Sequence, residues 1–142
     1  MPACLGLDYG LRRIGIAACD AEASLAFAIG THVEGRDGSV MEMIAALVTD
    51  RSITTIVVGL PLTTAGEEAE LARKARAFAE KLAAKIAVDI VMWDERYSSQ
   101  EADRWLQQAS RPSREDRDAL AAEIILQSYL DSLQAGPQGS ES

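Results

Sequence analysis

The sequence predicts an α/β fold, a five-stranded mixed sheet with helices on both faces. Three observations lead there. Short apolar or β-branched runs alternate with helix-period segments in the order β-β-β-α-β-α-β-α-α. The first three strands follow one another closely enough for an antiparallel meander, whereas the later two are each reached through a helix and join in parallel by right-handed crossovers. The chain has 142 residues, 48% hydrophobic and 25% charged. That composition supports one packed core and excludes wholesale disorder.

Residues 3–8 and 13–19 read as two strands joined by Tyr9-Gly10-Leu11-Arg12, whose glycine suits a tight turn. Gly6 and Gly15 are poor strand formers and signal close packing or close ligand approach. A third strand is expected over 24–30 and a loop over 31–38, which includes His32. Residues 39–50 form a helix with Met43, Ala46 and Leu47 on its apolar side and Val40 one turn earlier. The β-branched run 53–60 is a buried strand, ended by the Pro61–Gly66 loop. A helix follows over 67–85, with Leu71, Ala75, Phe78 and Leu82 as its core stripe. Residues 87–93 form the last strand and Ser98–Gln108 a helix. Residues 110–117 are read as a loop, and the final helix runs from about Asp116 to Leu130. The folded domain is expected over 1–131, with a flexible polar tail over 132–142.

Composition narrows the chemistry. Two cysteines, Cys4 and Cys19, make no disulfide framework, and both fall in apolar stretches as buried thiols suited to a reducing cytoplasm. One histidine, His32, excludes a polyhistidine metal site. No apolar run approaches the roughly 18 residues of a membrane span, and no signal peptide is read at the start. The net charge of -8 opposes bulk attraction to nucleic acid. The imbalance is uneven, however: residues 1–70 carry net -6 and residues 71–142 only net -2, so a local basic groove remains compatible. Trp93 and Trp105 lie in apolar patterns and are read as core.

Three acids fall where chemistry is expected. Asp8 ends the first strand, Glu95 follows the last, and Asp118 starts a helix face that continues through Ala122, Ile125 and Tyr129. Ligands of parallel sheets bind beyond the strands' carboxyl ends. If the first and last strands flank the fourth, all three acids reach one crevice. Bare, they would repel one another. Oxygen-only ligation suits Mg²⁺ or Mn²⁺, and two ions about 3.5–4 Å apart suit phosphodiester hydrolysis. The plainer alternatives are a turn cap at Asp8, a dipole-favoured acid at Asp118 and a surface pair of Glu95 with Arg96 or Arg12.

The longer pattern is more specific. Leu7-Asp8-Tyr9-Gly10 with Arg13-Ile14-Gly15-Ile16-Ala17, then Val58-Gly59-Leu60-Pro61-Leu62 with Gly66, resembles the YqgF-like nucleases. So do Trp93-Asp94-Glu95-Arg96-Tyr97-Ser98-Ser99 and Asp118 with Ala121-Ala122 and Ile124–Leu130. This family is described as Holliday-junction-resolvase-like, or as candidate pre-16S ribosomal RNA nucleases. The resemblance spans residues 4–131. It implies a ribonuclease H-like fold, with Asp8, Glu95 and Asp118 as catalytic metal ligands. The chain departs from the pattern at Leu11, Arg12, Thr63 and Glu123, and in its arginine-rich 111–117 segment.

Around these acids, Arg12, Arg13, Thr63, Arg96, Tyr97, Arg111, Arg114 and Arg117 are the expected substrate contacts, the arginines through phosphate and Tyr97 through a base. The function expected is metal-dependent hydrolysis of structured RNA, acting on precursor ribosomal RNA with the ribosome or its precursor as partner. Branched-DNA resolution and a non-catalytic role in ribosome assembly or transcription are the alternatives.

Overall fold

The computed structural model describes residues 3–10, 12–20, 25–33, 39–60, 66–94 and 114–141. Five strands and three helices occupy them: β1 Cys4–Tyr9, β2 Arg13–Cys19, β3 Phe27–Val33, α1 Ser39–Arg51, β4 Thr55–Leu60, α2 Gly66–Lys85, β5 Asp89–Asp94 and α3 Arg114–Glu141. The strands form one sheet in the order β3-β2-β1-β4-β5. β1–β2 and β2–β3 are antiparallel, and β1–β4 and β4–β5 parallel. The expected mixed five-stranded sheet is therefore present, with β4 between β1 and β5. The helix expected at 98–108 lies outside the described residues.

β4 is buried along its whole length, which explains its run of Ile56, Val57 and Val58. Its two faces feed two cores. On one, Leu5, Leu7, Ile14, Ile16, Ile56 and Val58 pack with Val40 and Ile44 of α1 and Phe78 and Leu82 of α2. On the other, Cys4, Ala17, Cys19 and Val57 pack under Ala122, Ile125, Leu126 and Leu130 of α3. Cys4 and Cys19 are direct cross-strand partners, buried as expected. The side-chain hydrogen bond with Cys19 and burial together hold the Cys4 thiol above its ordinary pKa.

Four expectations are corrected. β3 starts three residues later than expected and ends at Val33, so His32 is a strand residue paired with Ile14. A register irregularity between Ile16 and Ala17 lets β3 follow β2 at this offset. In α1 the buried stripe is Val40 and Ile44, and Ala46 is exposed. Ile44 offers more apolar area than Ala46, so it takes the sheet side. α3 begins at Arg114, inside the 110–117 segment expected to be a loop. It also continues to Glu141, past Leu130. Ser132 satisfies its hydroxyl on the Tyr129 carbonyl at 2.6 Å, and Gln127 Nε2 donates to Asp131 Oδ1 at 2.9 Å. These two bonds carry the helix past Leu130 into its next turn.

α3 lies close on the sheet because two strand positions have no Cβ. A Cβ at Gly6 would sit 2.7 Å from the Cβ of Leu126 and 3.0 Å from the Ala122 carbonyl oxygen. One at Gly15 would overlap the Asp118 carbonyl outright. α3 also covers the sheet edge. Glu123 Oε1 accepts from the Ala28 N–H at 2.9 Å, and Gln127 Oε1 from the Ala26 N–H at 2.8 Å. Glu123 thus serves the β3 edge, where it caps the Ala28 N–H that would otherwise face open solvent.

Two outcomes are expected. Ser52, at φ 55, closes α1. Ile53 N–H reaches the Val48 carbonyl at 3.0 Å and Ser52 N–H the Thr49 carbonyl at 3.4 Å, the paired bonds of a Schellman ending. The left-handed backbone costs an L-residue about 1 kcal/mol, partly offset in glycine by its backbone entropy. Ser52→Gly should therefore raise stability by about 0.5 kcal/mol in urea unfolding; a lower midpoint contradicts the assignment. Gly15→Ala should cost about 1–3 kcal/mol, because a backbone carbonyl cannot rotate away as a side chain can. An unchanged unfolding midpoint would show that α3 does not rest on this residue.

Candidate functional site

The three parallel strands end at one edge of the sheet. Leu7 of β1 pairs with Val58 of β4, and Leu60 of β4 pairs with Asp94 of β5. Asp8 follows Leu7 at that edge. On β1, Cys4 packs under α3 and the open side of Gly6 meets Leu126 and Ala122. Two-residue alternation puts Asp8 on the same face. Its partner on β2 is Gly15, the residue on which the Asp118 backbone rests. Two acids separated by 110 positions in the chain are thus brought to one residue, one from a strand end and one from the second turn of a helix.

A cation is already present at this meeting point. Arg13 Nε donates to Asp118 Oδ2 at 2.7 Å, with the two side chains 32% and 25% exposed. Arg13 heads β2 and is in phase with Gly15, so it too belongs to the α3 face. The sequence assigns Arg13 to substrate, and a contact across 105 residues leaves no local signal of this pairing. Arg12 beside it is exposed. Asp118 is half-buried on the packed side of α3, as the Ala122–Ile125–Tyr129 spacing implied.

The remaining expected residues divide simply. Glu95, Thr63, Arg96, Tyr97 and Arg111 lie outside the described residues, as does Trp105. Arg114 and Arg117 occupy the first turn of α3, immediately before Asp118. Trp93 is packing, as expected. Its Nε1 donates to Ser128 Oγ at 3.2 Å, and its ring meets Tyr129 edge-on at 5.5 Å. Tyr9 turns the other way, onto Phe78 at 4.9 Å. A shallow cleft of about 290 Å³ lined by Arg76, Ala79, Ile90 and Met92 belongs to the opposite face of the sheet and does not touch the acids.

The donor set can be judged from this geometry. Asp8 and Asp118 supply carboxylate oxygens, the ligands that hard divalent cations prefer. Arg13 shows that the Asp118 position accepts a positive partner. Among the described residues no three His, Cys, Asp or Glu side chains gather as a metal cage. The third expected acid, Glu95, is the residue after β5 and lies outside them. The two acids that are described fit Mg²⁺ or Mn²⁺ in kind. Among the described residues no helix is long and apolar enough to cross a membrane.

Known proteins match this chain along nearly all its length. A protein of Synechocystis described as a candidate pre-16S rRNA nuclease is 41% identical over 132 residues, covering 91% of this chain and 87% of that one. One of Anaeromyxobacter sp. strain K, described likewise, is 42% identical over 130 residues, with 89% and 95% covered. Among solved structures, T. thermophilus RuvC in complex with a Holliday junction substrate shares the fold. The TM-score is 0.64 at 12% identity, with 94% of this chain and 96% of that one covered. The model of the family described as RuvX, Holliday junction resolvase, matches residues 2–132, and with relatives above 40% identity across both chains, this protein belongs to that family.

Proposed function

We propose that this protein is a metal-dependent nuclease that hydrolyses phosphodiester bonds in structured RNA, processing the 5′ end of precursor 16S ribosomal RNA. The observation that carries the chemistry is the convergence of Asp8 and Asp118 on Gly15 at the carboxyl edge of the parallel strands. The substrate class is supported by relatives that are about 40% identical over both chains and described as candidate pre-16S rRNA nucleases.

In this reading Asp8, Glu95 and Asp118 hold Mg²⁺ or Mn²⁺. Glu95 directly follows β5, where Val91 and Trp93 pack on the α3 side. The reading requires Glu95 to continue that alternation toward the α3 side. Bound divalent ions would supply charge neutralisation and polarise water and the departing oxygen. The chain's own groups do the rest. The carboxylates fix the site at the sheet edge, and the exposed guanidinium of Arg12 meets a phosphate of the cut strand. Arg111, Arg114 and Arg117 bring positive charge to an otherwise acidic protein, Arg96 and Thr63 take up backbone oxygens, and Tyr97 offers a face to a base. In this reading the protein acts in the cytoplasm, with a ribosome precursor as its partner.

A second substrate reading, branched DNA, is favoured by the RuvX family description. Its weight is lower, since the RuvC likeness is at 12% identity and speaks to fold alone. Cleavage of precursor 16S RNA and of a four-way DNA junction by the same preparation separates the two. Precursor RNA should be cut in Mg²⁺ or Mn²⁺ to leave 5′-phosphate and 3′-hydroxyl ends. Asp8→Asn should lower the rate at least about 100-fold, on the scale of losing a main charge-stabilising group, while circular dichroism stays native. Ends bearing 2′,3′-cyclic phosphate, or full turnover by Asp8→Asn, contradict the mechanism; preferential cutting of the junction moves the assignment to DNA.

A further inference from the structure

Arg13 occupies the carboxylate that the proposed metal requires. Its Nε–Asp118 Oδ2 bond of 2.7 Å joins the head of β2 to the second turn of α3. Asp8 is opposite Gly15 in the β1–β2 ladder, and Arg13 is two residues from Gly15 on the same face. That is the diagonal position to Asp8, within reach of a long side chain. The guanidinium paired with Asp118 therefore comes from the β2 position diagonal to Asp8.

The two partners differ in freedom. The Asp118 main chain is pinned by its contact with Gly15, so its carboxylate cannot retreat far. Arg13 has a long flexible stem and a side chain that is one-third exposed. A guanidinium and a hard dication compete for the same oxygen lone pairs, and the mobile partner is the one that yields.

From this we infer that Arg13 is a counter-ion latch: it holds the Asp118 carboxylate in register in the ion-free protein and gives up Oδ2 when a divalent cation binds. Arg13 is then a positioning residue, acting through Asp118, and its released guanidinium is left at the site edge beside Arg12. The inference rests on the metal-dependent reading above. It adds that the site carries its own internal competitor, so that ion affinity is set below what the acids alone would give.

Mn²⁺ binding, followed by titration calorimetry and by the electron paramagnetic resonance signal of the free ion, tests this without a substrate. Arg13→Gln should bind Mn²⁺ about two- to fivefold more tightly than the wild type, the scale of removing one partly exposed ion pair. Arg13→Lys keeps the charge but loses the fork geometry, and should bind more tightly by a smaller factor. It also stands in should Arg13→Gln fail to fold. Asp8→Asn reports on the metal site itself. Equal or weaker Mn²⁺ binding by the Arg13 variants overturns the latch. If Asp8→Asn meanwhile loses Mn²⁺, the metal-dependent reading survives that result. Absence of Mn²⁺ binding by the wild type and both Arg13 variants overturns the latch and the metal reading together.

Discussion

Where α3 crosses β2, the carbonyl of Asp118 lies against the Cα of Gly15, closer than any side chain there would permit. Gly6 allows the same intimacy one strand over and one turn further along α3. These two contacts set the height of the helix above the sheet. The height in turn decides whether a helix-borne acid can reach a strand-borne one. With alanine at both positions, α3 would have to lift, and Asp118 would leave the level of Asp8. The apolar contacts of Ala122, Ile125 and Leu126 stabilise the helix in this position. The glycines determine which position it is.

Bringing acids together carries an electrostatic cost that the fold must meet. Two like charges about 4 Å apart oppose each other by about 4 kcal/mol at an effective dielectric near 20. In a protein of net charge -8 the surroundings offer little relief. The described structure supplies one local answer, the Arg13 guanidinium on Asp118. Divalent cations are another, and they suit oxygen ligands of this type. Further arginines stand close by in the chain, with Arg12 immediately before β2 and Arg114 and Arg117 in the first turn of α3.

Much of this was legible in the residues. β4 announces itself by Ile56-Val57-Val58, β2 is found at its expected ends, and α2 buries the expected Ala75, Phe78 and Leu82. Gly6 and Gly15 signalled close approach, although not what approaches. Other features depend on partners distant in sequence. β3 is displaced because a register irregularity and the side chains of Glu123 and Gln127, about 100 positions away, decide where that edge strand lies. The α1 stripe turns toward Ile44 because tertiary packing chooses among several apolar flanks. The Arg13–Asp118 pair spans 105 positions and has no periodic trace. Asp8 and Asp118 could be picked out as acids in suggestive places, but only the β1–β2 register and the α3 contact bring them together.

Anomalous diffraction from crystals grown in Mn²⁺ addresses the convergence of these acids most directly. The account expects manganese density bridging the carboxylates of Asp8 and Asp118, with Glu95 among the ligands and α3 still seated on Gly15. Manganese bound elsewhere, or Asp8 and Asp118 too far apart to share an ion while α3 remains seated, would contradict it.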